Sequence, residues 1–294
     1  MTTATGAMTA AVLRTARTVR SDSVPPPEPE PGAVLVRIEG CGVCASSLPV
    51  WEGRAWFDYP LEPGAPGHEG WGVVERVGAG VEAPAPGERV ALLSYRAFAE
   101  YDVAPADRCV PLPRELDGLP VPLEAFGCAV NVLRRADVRA GMTVAVVGLG
   151  FLGRTVAALA ARAGARIVPV RRGERPSERF ERVIECAGTQ EALDVASAIV
   201  ATRGRLVLAG FHQDGLRTVD LQSWNWCGID VANAHERDAA VVVEAMRDAA
   251  ALLAAGELEL PRLVTHRFPL ARLDDAFEAA RTRPPGFVKA WVEP

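Results

Sequence analysis

Apolar and polar positions follow one pattern in the first part of the chain and another in the second. Up to about residue 122, short apolar runs rich in β-branched residues alternate with Gly and Pro, as in "AVLVRIEGCG", "GWGVVERVGAGV" and "GERVALL". Short strands at this density predict a compact, β-rich, barrel-like domain. The proline-rich "VPPPEPEPG" excludes a helix between the first predicted strands.

From residue 123 onwards, apolar strands alternate with helices. The predicted strands are "TVAVVGLG", "ARIVPV", "RVIECAG" and "GRLVLAG", and the predicted helices include "FLGRTVAALAARAG", "EALDVASAIVAT" and "RDAAVVVEAMRDAAALLAAG". This alternation predicts a parallel, doubly wound sheet. The fold class is therefore α/β, with a β-rich domain (residues 1–122 and 266–294) and a parallel-sheet domain (residues 123–265).

The composition excludes several classes of function. The chain has 294 residues, of which 49% are hydrophobic and 23% charged, enough apolar material for two cores. A net charge of -5 argues against a nucleic-acid binder, which needs a basic surface. We find no apolar run that could span a bilayer and no signal peptide, so the six cysteines are predicted to be reduced thiols in the cytoplasm.

A glycine-rich loop joins the first strand of the parallel-sheet domain to its helix. Gly148, Gly150 and Gly153 have G-x-G-x-x-G spacing, with Leu149 between the first two and Phe151 and Leu152 before the third. After a strand and before a helix, this spacing predicts that backbone N–H groups bind the pyrophosphate of a dinucleotide. The alternative is a glycine turn that serves packing alone.

The end of the next predicted strand bears on the choice of dinucleotide. An NAD site usually places an acidic residue there, which binds the ribose 2′-hydroxyl. Here "RIVPVRR" has Arg171 and Arg172 instead. Guanidinium groups suit the 2′-phosphate, so NADP is predicted over NAD. The alternative is a pair of solvated arginines that leaves the cofactor unspecified.

Possible metal ligands occur in three separate segments before the glycine loop. "CGVC" contains Cys41 and Cys44, "GHEG" contains His68 and Glu69, and "PLEAFGC" contains Glu124 and Cys128. A thiolate, an imidazole and a carboxylate form a typical catalytic zinc site, which keeps one position open. A His-Glu pair on its own is more often a surface turn, so the prediction depends on the combination.

Together these segments resemble the zinc-dependent branch of the medium-chain dehydrogenase/reductase superfamily, the alcohol and polyol dehydrogenases. The resemblance runs through "PGAVLVRIEGCGVC", "PGHEGWGVVERVGAGV", "PLEAFGCAVNVLRRADVRAGMTVAVVGLGFLG", "RVIECAG" and "FPLARLDDAFEAA". It implies a GroES-like catalytic domain, a Rossmann domain and one catalytic zinc ion. The implied ligands are Cys44, His68 and either Glu69 or Glu124, with Ser46 as the hydroxyl that relays the alcohol proton.

The chain departs from this family at three places. Ser47 stands where the family has an Asp near the metal, so ligand orientation is open to change. "GERVAL" continues directly into "LSYRAFAEY", without the four-cysteine lobe of a structural zinc. The stretch from "VPVRRGERPSERF" to "RVIECAG" lacks a strand and a helix, which predicts a trimmed Rossmann domain. Cys41 and Cys128 are expected to be packed core residues rather than ligands.

The resemblance implies hydride transfer between nicotinamide and a small alcohol or ketone whose oxygen is polarised by zinc. Candidate substrate residues are Trp51 and Trp56, after the ligand turn, and His212, with Gln213 and Asp214 in "GFHQDG". These polar groups favour a hydroxyl-rich secondary alcohol, such as a polyol, sugar or cyclitol, although a solvated loop would have the same composition.

A homodimer is also expected, and "SWNWCGIDVANAHERD" is either a substrate wall or a dimer contact. Two other functions remain open. One is a zinc-free enone or quinone reductase of the same superfamily, which would lack the ligand set. The other is a non-catalytic nucleotide-binding member, which the trimmed Rossmann domain and Ser47 keep open.

Overall fold

Two units make up the chain, and their elements follow the predicted α/β class. The computed structural model describes residues 6–213, 215–258 and 260–294, the side chains of residues 260 and 261 excepted. One unit contains the residues up to Ala125 together with Ala239–Pro294, and the other is Phe126–Asp238. Among the described residues, no helix has the length and apolar character needed to cross a membrane.

The first part of the chain is mostly β-structure, with one short helix. Its elements are β1 (Met8–Thr15), β2 (Thr18–Val24), β3 (Ala33–Val43), α1 (Leu48–Glu52), β4 (Gly70–Val77), β5 (Arg89–Leu92), β6 (Tyr101–Pro105) and β7 (Cys109–Pro111). Short 3₁₀ turns lie at Ala45–Ser47, Ala106–Arg108 and Arg114–Leu116.

The middle of the chain alternates strands and helices. Its elements are α2 (Leu123–Ala136), β8 (Thr143–Val147), α3 (Phe151–Arg162), β9 (Arg166–Val170), β10 (Phe180–Glu185), α4 (Gln190–Ile199), β11 (Val200–Leu208), α5 (Leu221–Cys227) and β12 (Asp230–Asn233). The sequence pattern predicted these strands apart from β12, but α5 was not foreseen.

The last part returns to the first unit. Its elements are α6 (Ala239–Ala254), α7 (Leu260–Leu263), β13 (His266–Pro269), a 3₁₀ turn (Leu270–Arg272), α8 (Leu273–Thr282) and β14 (Ala290–Glu293). The sequence placed this return at residue 266, whereas α6 already packs against β7 and the neighbouring 3₁₀ turns. An apolar helix face shows that a helix is buried, but not against which sheet.

A seven-stranded sheet organises the first unit around β3. Its order is β13-β14-β3-β4-β5-β7, and β6 also pairs with β3. Most positions of β3 are buried, because the strand has neighbours on both sides. The core formed here includes Trp51, Phe98 and Phe277. A sheet so largely antiparallel matches the predicted β-rich domain.

The second unit contains a five-stranded parallel sheet in the order β12-β11-β10-β8-β9. Its core includes Val147, Val183, Leu193 and Leu206. The near-continuous apolar strands of the sequence follow from burial by helices on a parallel sheet. The residues between β9 and β10 form neither a helix nor a strand, which accords with the predicted trimming of this domain.

Candidate metal centre and nucleotide-binding loop

Strand pairing brings two of the three ligand segments together. β3 and β4 are antiparallel, with Cys41 opposite Gly70. The carboxyl end of β3 therefore lies beside the amino end of β4. Cys44 directly follows β3, and His68 and Glu69 directly precede β4, so the register alone places these side chains at one edge of the sheet.

The Cys44, His68 and Glu69 side chains form a compact cluster. Each offers one ligand atom, and these atoms lie within 4.8 Å of one another. Cys44 and His68 are half-buried and Glu69 is fully buried. Thiolate, imidazole and carboxylate together are a donor set that suits Zn²⁺.

The hydrogen bonds of His68 determine which of its nitrogens is available to a metal. Its Nδ1 lies 3.0 Å from the carbonyl oxygen of Pro66. A carbonyl only accepts, so Nδ1 carries the proton and donates it. Nε2 is then the nitrogen that faces the cluster, 3.5 Å from Ser46 Oγ, and the one that a metal would bind in exchange for a proton. A backbone carbonyl that fixes the tautomer is a common support for a metal-binding histidine.

The charges of the cluster act strongly on His68. Burial disfavours the charged imidazolium, but the hydrogen bond and charge of the Cys44 sulfur, with the carboxylates of Glu124 and Glu69, raise the pKa of His68 to about 10. The excess negative charge that stabilises a proton here would equally stabilise a divalent cation.

Glu69 is oriented by a lysine from the far end of the chain. Lys289 Nζ donates to Glu69 Oε1 at 2.7 Å, and both side chains are buried. Glu69 Oε2 is also 2.7 Å from Nζ but lacks hydrogen-bond geometry, and it has no hydrogen-bond partner although it is buried. A buried carboxylate oxygen that accepts no hydrogen bond has a lone pair free to bind a divalent ion. The residues present therefore fit a divalent ion.

The glycine of the "CGVC" turn makes room for this carboxylate. A Cβ on Gly42 would overlap Glu69 Oε2. Cys41, by contrast, is fully buried in the core of the first unit, where its Sγ donates to the Gly42 carbonyl at 3.5 Å. Burial raises the pKa of the Cys41 thiol well above its ordinary value, so it remains protonated. The two cysteines thus have different environments.

The two serines after Cys44 also differ. Ser46 Oγ donates to Cys44 Sγ at 3.2 Å, so a hydroxyl touches two members of the cluster. Ser47, at the position of the family's Asp, is buried at the end of the 3₁₀ turn, where its N–H bonds the Cys44 carbonyl.

Glu124 lies in the first turn of α2 and is half-buried. Its charge reaches His68 and Lys289. It is not a member of the group whose ligand atoms all lie within 4.8 Å. Cys128, one helical turn further on, is half-buried.

Sequence analysis missed Tyr95, whose ring lies beside His68. The ring centroids are 6.2 Å apart with an interplanar angle of 15°, and Tyr95 is half-exposed. Its loop is tied to the turn before His68, since the N–H groups of Ala97 and Phe98 bond the carbonyls of Gly67 and Gly64. One sequence signal was available. "GERVAL" runs directly into "LSYRAFAEY", which contains Tyr95, at the point where the family carries a four-cysteine lobe.

Trp51 must be reassigned. It was predicted to line the substrate site, but it is 3% exposed, its Nε1 donates to Asp274 at 2.8 Å, and it stacks on Phe277. The residue is therefore a core contact between α1 and α8. Trp56 is 56% exposed, and its predicted role stays a prediction.

The glycine loop has the backbone features that the motif requires. Gly148 has a φ of 92°, which favours glycine. A Cβ on Gly153 would overlap the Gly148 carbonyl oxygen, so α3 packs directly on the loop. Leu149 follows Gly148 in the loop, Gly150 is the N-cap of α3, and Phe151 and Leu152 are the first two residues of that helix. This glycine cradle fits a pyrophosphate.

Gly153→Ala is expected to displace the start of α3. Because the overlapping atom is backbone, the helix must shift, with a loss of about 2 kcal/mol in the free energy of unfolding and a nucleotide affinity at least about tenfold weaker. Urea denaturation and nucleotide titration measure the two effects. Ala158→Ser, on the exposed face of the same helix, is the control. Equal nucleotide affinity in both variants would contradict the assigned role of Gly153.

Arg171 and Arg172 follow β9, and both are exposed. Glu174 accepts from the backbone N–H of Arg171 at 2.7 Å and lies 3.7 Å from its guanidinium. A carboxylate is therefore present at this strand end, three residues later than the motif places it. Arg172 has no hydrogen bond or ion pair with any described residue.

His212 is hydrogen-bonded at both of its ring nitrogens. Its Nε2 lies 3.0 Å from Glu185, which is fully buried at the end of β10, and its Nδ1 accepts from Arg217 Nε at 3.0 Å. Since arginine only donates, Nε2 carries the proton toward Glu185. Both nitrogens are therefore hydrogen-bonded within the protein, and the predicted substrate role of His212 stays a prediction. Gln213 is half-buried, and Asp214 lies outside the described residues.

The chain was compared with known proteins. Residues 30–114 match the family model "Alcohol dehydrogenase GroES-like domain". Sorbitol dehydrogenase of Gallus gallus is 26% identical over 343 aligned positions, covering 95% of this chain and 94% of the relative. An alcohol dehydrogenase of Geobacillus stearothermophilus is 33% identical over 177 positions, covering 49% of this chain and 51% of the relative.

Structural similarity extends over both units. A cobalt- and zinc-bound thermostable alcohol dehydrogenase from Pyrobaculum aerophilum has a TM-score of 0.84 and 23% identity, covering 98% of this chain and 100% of the other. At this identity the likeness establishes the fold. The 343-position alignment with the sorbitol dehydrogenase is longer than the 294 residues here, so that relative has internal segments with no counterpart in this chain.

Proposed function

Because the chain belongs to the alcohol and polyol dehydrogenase branch of the medium-chain dehydrogenase/reductase superfamily, we propose that it is a zinc-dependent dehydrogenase. It would transfer a hydride between NAD(P) and a secondary, hydroxyl-rich alcohol or the corresponding ketone. The observation that carries the proposal is the Cys44–His68–Glu69 cluster.

The proposed zinc ligands are Cys44, His68 Nε2 and Glu69, and Glu124 is the alternative carboxylate. Glu69 is preferred because it belongs to the 4.8 Å cluster and has a buried, unpartnered oxygen. A bound Zn²⁺ supplies Lewis acidity at the substrate oxygen, and the nicotinamide accepts or donates the hydride. Ser46 holds and relays the alcohol proton, since its hydroxyl already contacts Cys44 and His68.

We assign cofactor binding to the glycine loop (Gly148–Gly153) and to the arginines that follow β9. Gly148 and Gly153 provide the cradle for the pyrophosphate. The guanidinium of Arg172 has no protein partner among the described residues and suits a 2′-phosphate, which supports NADP over NAD. The Glu174 carboxylate, which could bind a ribose hydroxyl, argues the other way.

A hydroxyl-rich substrate is supported by the surroundings of the proposed metal. Tyr95 offers an aromatic face and a phenol hydroxyl beside His68. Trp56 is a second exposed aromatic residue in the same unit. Aromatic faces and hydroxyl groups together are typical of sites for polyols and sugars.

A homodimer in the cytoplasm completes the proposal. β12 is an edge strand, and Leu221, Trp226 and Val231 on α5 and β12 are exposed. An unpaired strand edge beside exposed apolar side chains is a typical protein contact, which favours the dimer interpretation of "SWNWCGIDVANAHERD". The six cysteines are free thiols, as a reducing compartment requires.

The test combines metal analysis with an activity screen. Purified protein should contain about one zinc per chain and should reduce NADP or NAD with a polyol, sugar or cyclitol faster than with a simple aliphatic alcohol, as followed by nicotinamide absorbance. Enone or quinone reduction without zinc would favour the zinc-free reductase. Nucleotide binding without turnover of any alcohol or ketone would favour the non-catalytic protein.

A further inference from the structure

A buried carboxylate holds the loop that follows β5. We propose that Asp102 is a positioning residue for substrate recognition. Through residues 93–98, here called the aromatic loop, it fixes the phenol of Tyr95 beside His68, and Tyr95 selects hydroxyl-rich substrates over simple alcohols. The inference rests on the proposed function, because it concerns how that site distinguishes its substrates.

The aromatic loop and the turn before His68 are in direct backbone contact. A Cβ on Gly64 would overlap the carbonyl oxygen of Arg96, and a Cβ on Gly67 would overlap the backbone nitrogen of Phe98. The approached atoms belong to the backbone, so neither segment could yield by rotating a side chain. Together with the N–H bonds to the Gly64 and Gly67 carbonyls, these contacts fix the aromatic loop against the turn that presents the histidine.

Asp102 lies at a position of β6 where the strand pattern favours an apolar residue. Buried positions alternate with more exposed ones along this strand, and Asp102 and Ala104 are the buried ones. Burial raises the pKa of Asp102, although its hydrogen bonds and the charge of Arg96 act in the opposite direction. A buried carboxylate costs free energy that an apolar side chain would not, which indicates that its contacts are what this position requires.

The contacts of Asp102 lead to the aromatic loop. Its Oδ2 accepts from the backbone N–H of Arg96 at 3.3 Å, and its Oδ1 accepts from the N–H of Val103 at 2.7 Å. Arg96 Nε lies 4.0 Å from Oδ1, and Nη1 donates to Glu62 at 3.4 Å. The residue that follows Tyr95 is therefore held by β6 on one side and by the segment before His68 on the other.

Tyr95 is the side chain that this anchored loop presents beside the proposed metal. Ala97 and Phe98 are buried, whereas Tyr95 is half-exposed and its hydroxyl has no hydrogen bond with any described residue. Its ring lies nearly parallel to that of His68, as in offset stacking. A phenol there offers a donor and an acceptor to a further hydroxyl of the substrate. A simple alcohol has no further hydroxyl, so this contact distinguishes the two classes.

Asp102→Asn tests the positioning role without changing the size of the side chain. The amide has one carbonyl oxygen, so it accepts from Val103 or Arg96 but not from both. For the hydroxyl-rich substrate with the highest kcat/KM in the activity screen, KM should rise about tenfold, with kcat within about twofold of wild type. The kcat/KM for 2-butanol and the zinc content should both stay within about twofold. Asp107→Asn, the same change at an exposed position of the same unit, is the control.

Tyr95→Phe removes only the phenol hydroxyl and should raise the same KM about tenfold. Because Asp102 acts through Tyr95, the double variant should also raise KM about tenfold rather than about a hundredfold. A purely structural role of Asp102 would instead add to the effect of Tyr95→Phe. The single Tyr95 variant also tests the selectivity by itself, should Asp102→Asn fail to fold.

Hydrogen exchange of the full chain tests the anchor without any substrate. The amide hydrogens of Ala97 and Phe98 are bonded to the carbonyls of Gly67 and Gly64, so they should exchange slowly in the wild-type protein. Asp102→Asn should speed exchange in residues 95–98 at least about tenfold. Asp107→Asn should leave the exchange of this segment unchanged.

The outcomes separate this inference from the proposed function. Unchanged exchange in the Asp102→Asn protein, equal losses for 2-butanol and the hydroxyl-rich substrate, additive effects in the double variant, or an unaltered KM in Tyr95→Phe would each overturn the inference and leave the dehydrogenase proposal intact. A wild-type protein that contains zinc and binds nucleotide but turns over no alcohol or ketone would overturn both.

Discussion

Cys44→Ser is expected to abolish zinc binding and to lower kcat/KM about a thousandfold. The thiolate is the softest member of the Cys44–His68–Glu69 cluster, and a serine hydroxyl replaces it poorly as a zinc ligand. Lewis-acid catalysis contributes several kcal/mol, and about 1.4 kcal/mol corresponds to a factor of ten in rate. Elemental analysis and steady-state kinetics on the same preparation provide the two measurements.

The control is Cys227→Ser, the same chemical change at a half-buried cysteine on α5. It should keep zinc and activity. Glu69→Gln and Glu124→Gln, in the same series, decide between the two carboxylates, and the larger loss of zinc is expected at Glu69. A Cys44→Ser protein that retains stoichiometric zinc would refute the proposed centre.

Lys289→Met is expected to cost the metal-free protein about 3–5 kcal/mol of unfolding free energy. The substitution leaves the carboxylate of Glu69 buried without its cation. Burial by itself disfavours the charge on Lys289, but Glu69 and the neighbouring Cys44 and Glu124 raise the pKa of Lys289, so its ammonium group stays charged. Urea denaturation after chelation measures the loss.

The double variant Glu69→Gln/Lys289→Met removes both charges and should recover a large part of that stability, because such a pair is strongly coupled. Arg281→Met provides the control, since Arg281 pairs with Glu278 at the surface, where solvent screens the pair, and its loss should change the stability far less than Lys289→Met. Additive losses in the double variant would mean that the two side chains do not interact as the structure indicates.

Much of the candidate site was predictable because its signals are local. The strand before Gly148 and the helix after Gly153 are defined by residues adjacent in sequence, and so are the turns that contain Cys44 and His68. These predictions needed only periodicity and spacing.

The residues that sequence analysis missed have distant partners. Lys289 is 220 positions from Glu69, and Trp51 is 223 positions from Asp274. No periodicity reports such pairs, since they arise from the packing of β14 and α8 on the rest of the first unit. The Glu185 partner of His212 was missed for the same reason, because Glu185 lies at the end of β10, 27 positions earlier in the sequence. One compositional signal was available: Lys289 is the chain's single lysine.

That solitary lysine has a practical consequence. Its ammonium group is buried and paired, so the folded surface described here presents no lysine side chain to reagents that acylate amines. N-hydroxysuccinimide esters should therefore leave Lys289 of the native protein unmodified and acylate it only after unfolding. Dye incorporation at Lys289 would then count unfolded molecules directly.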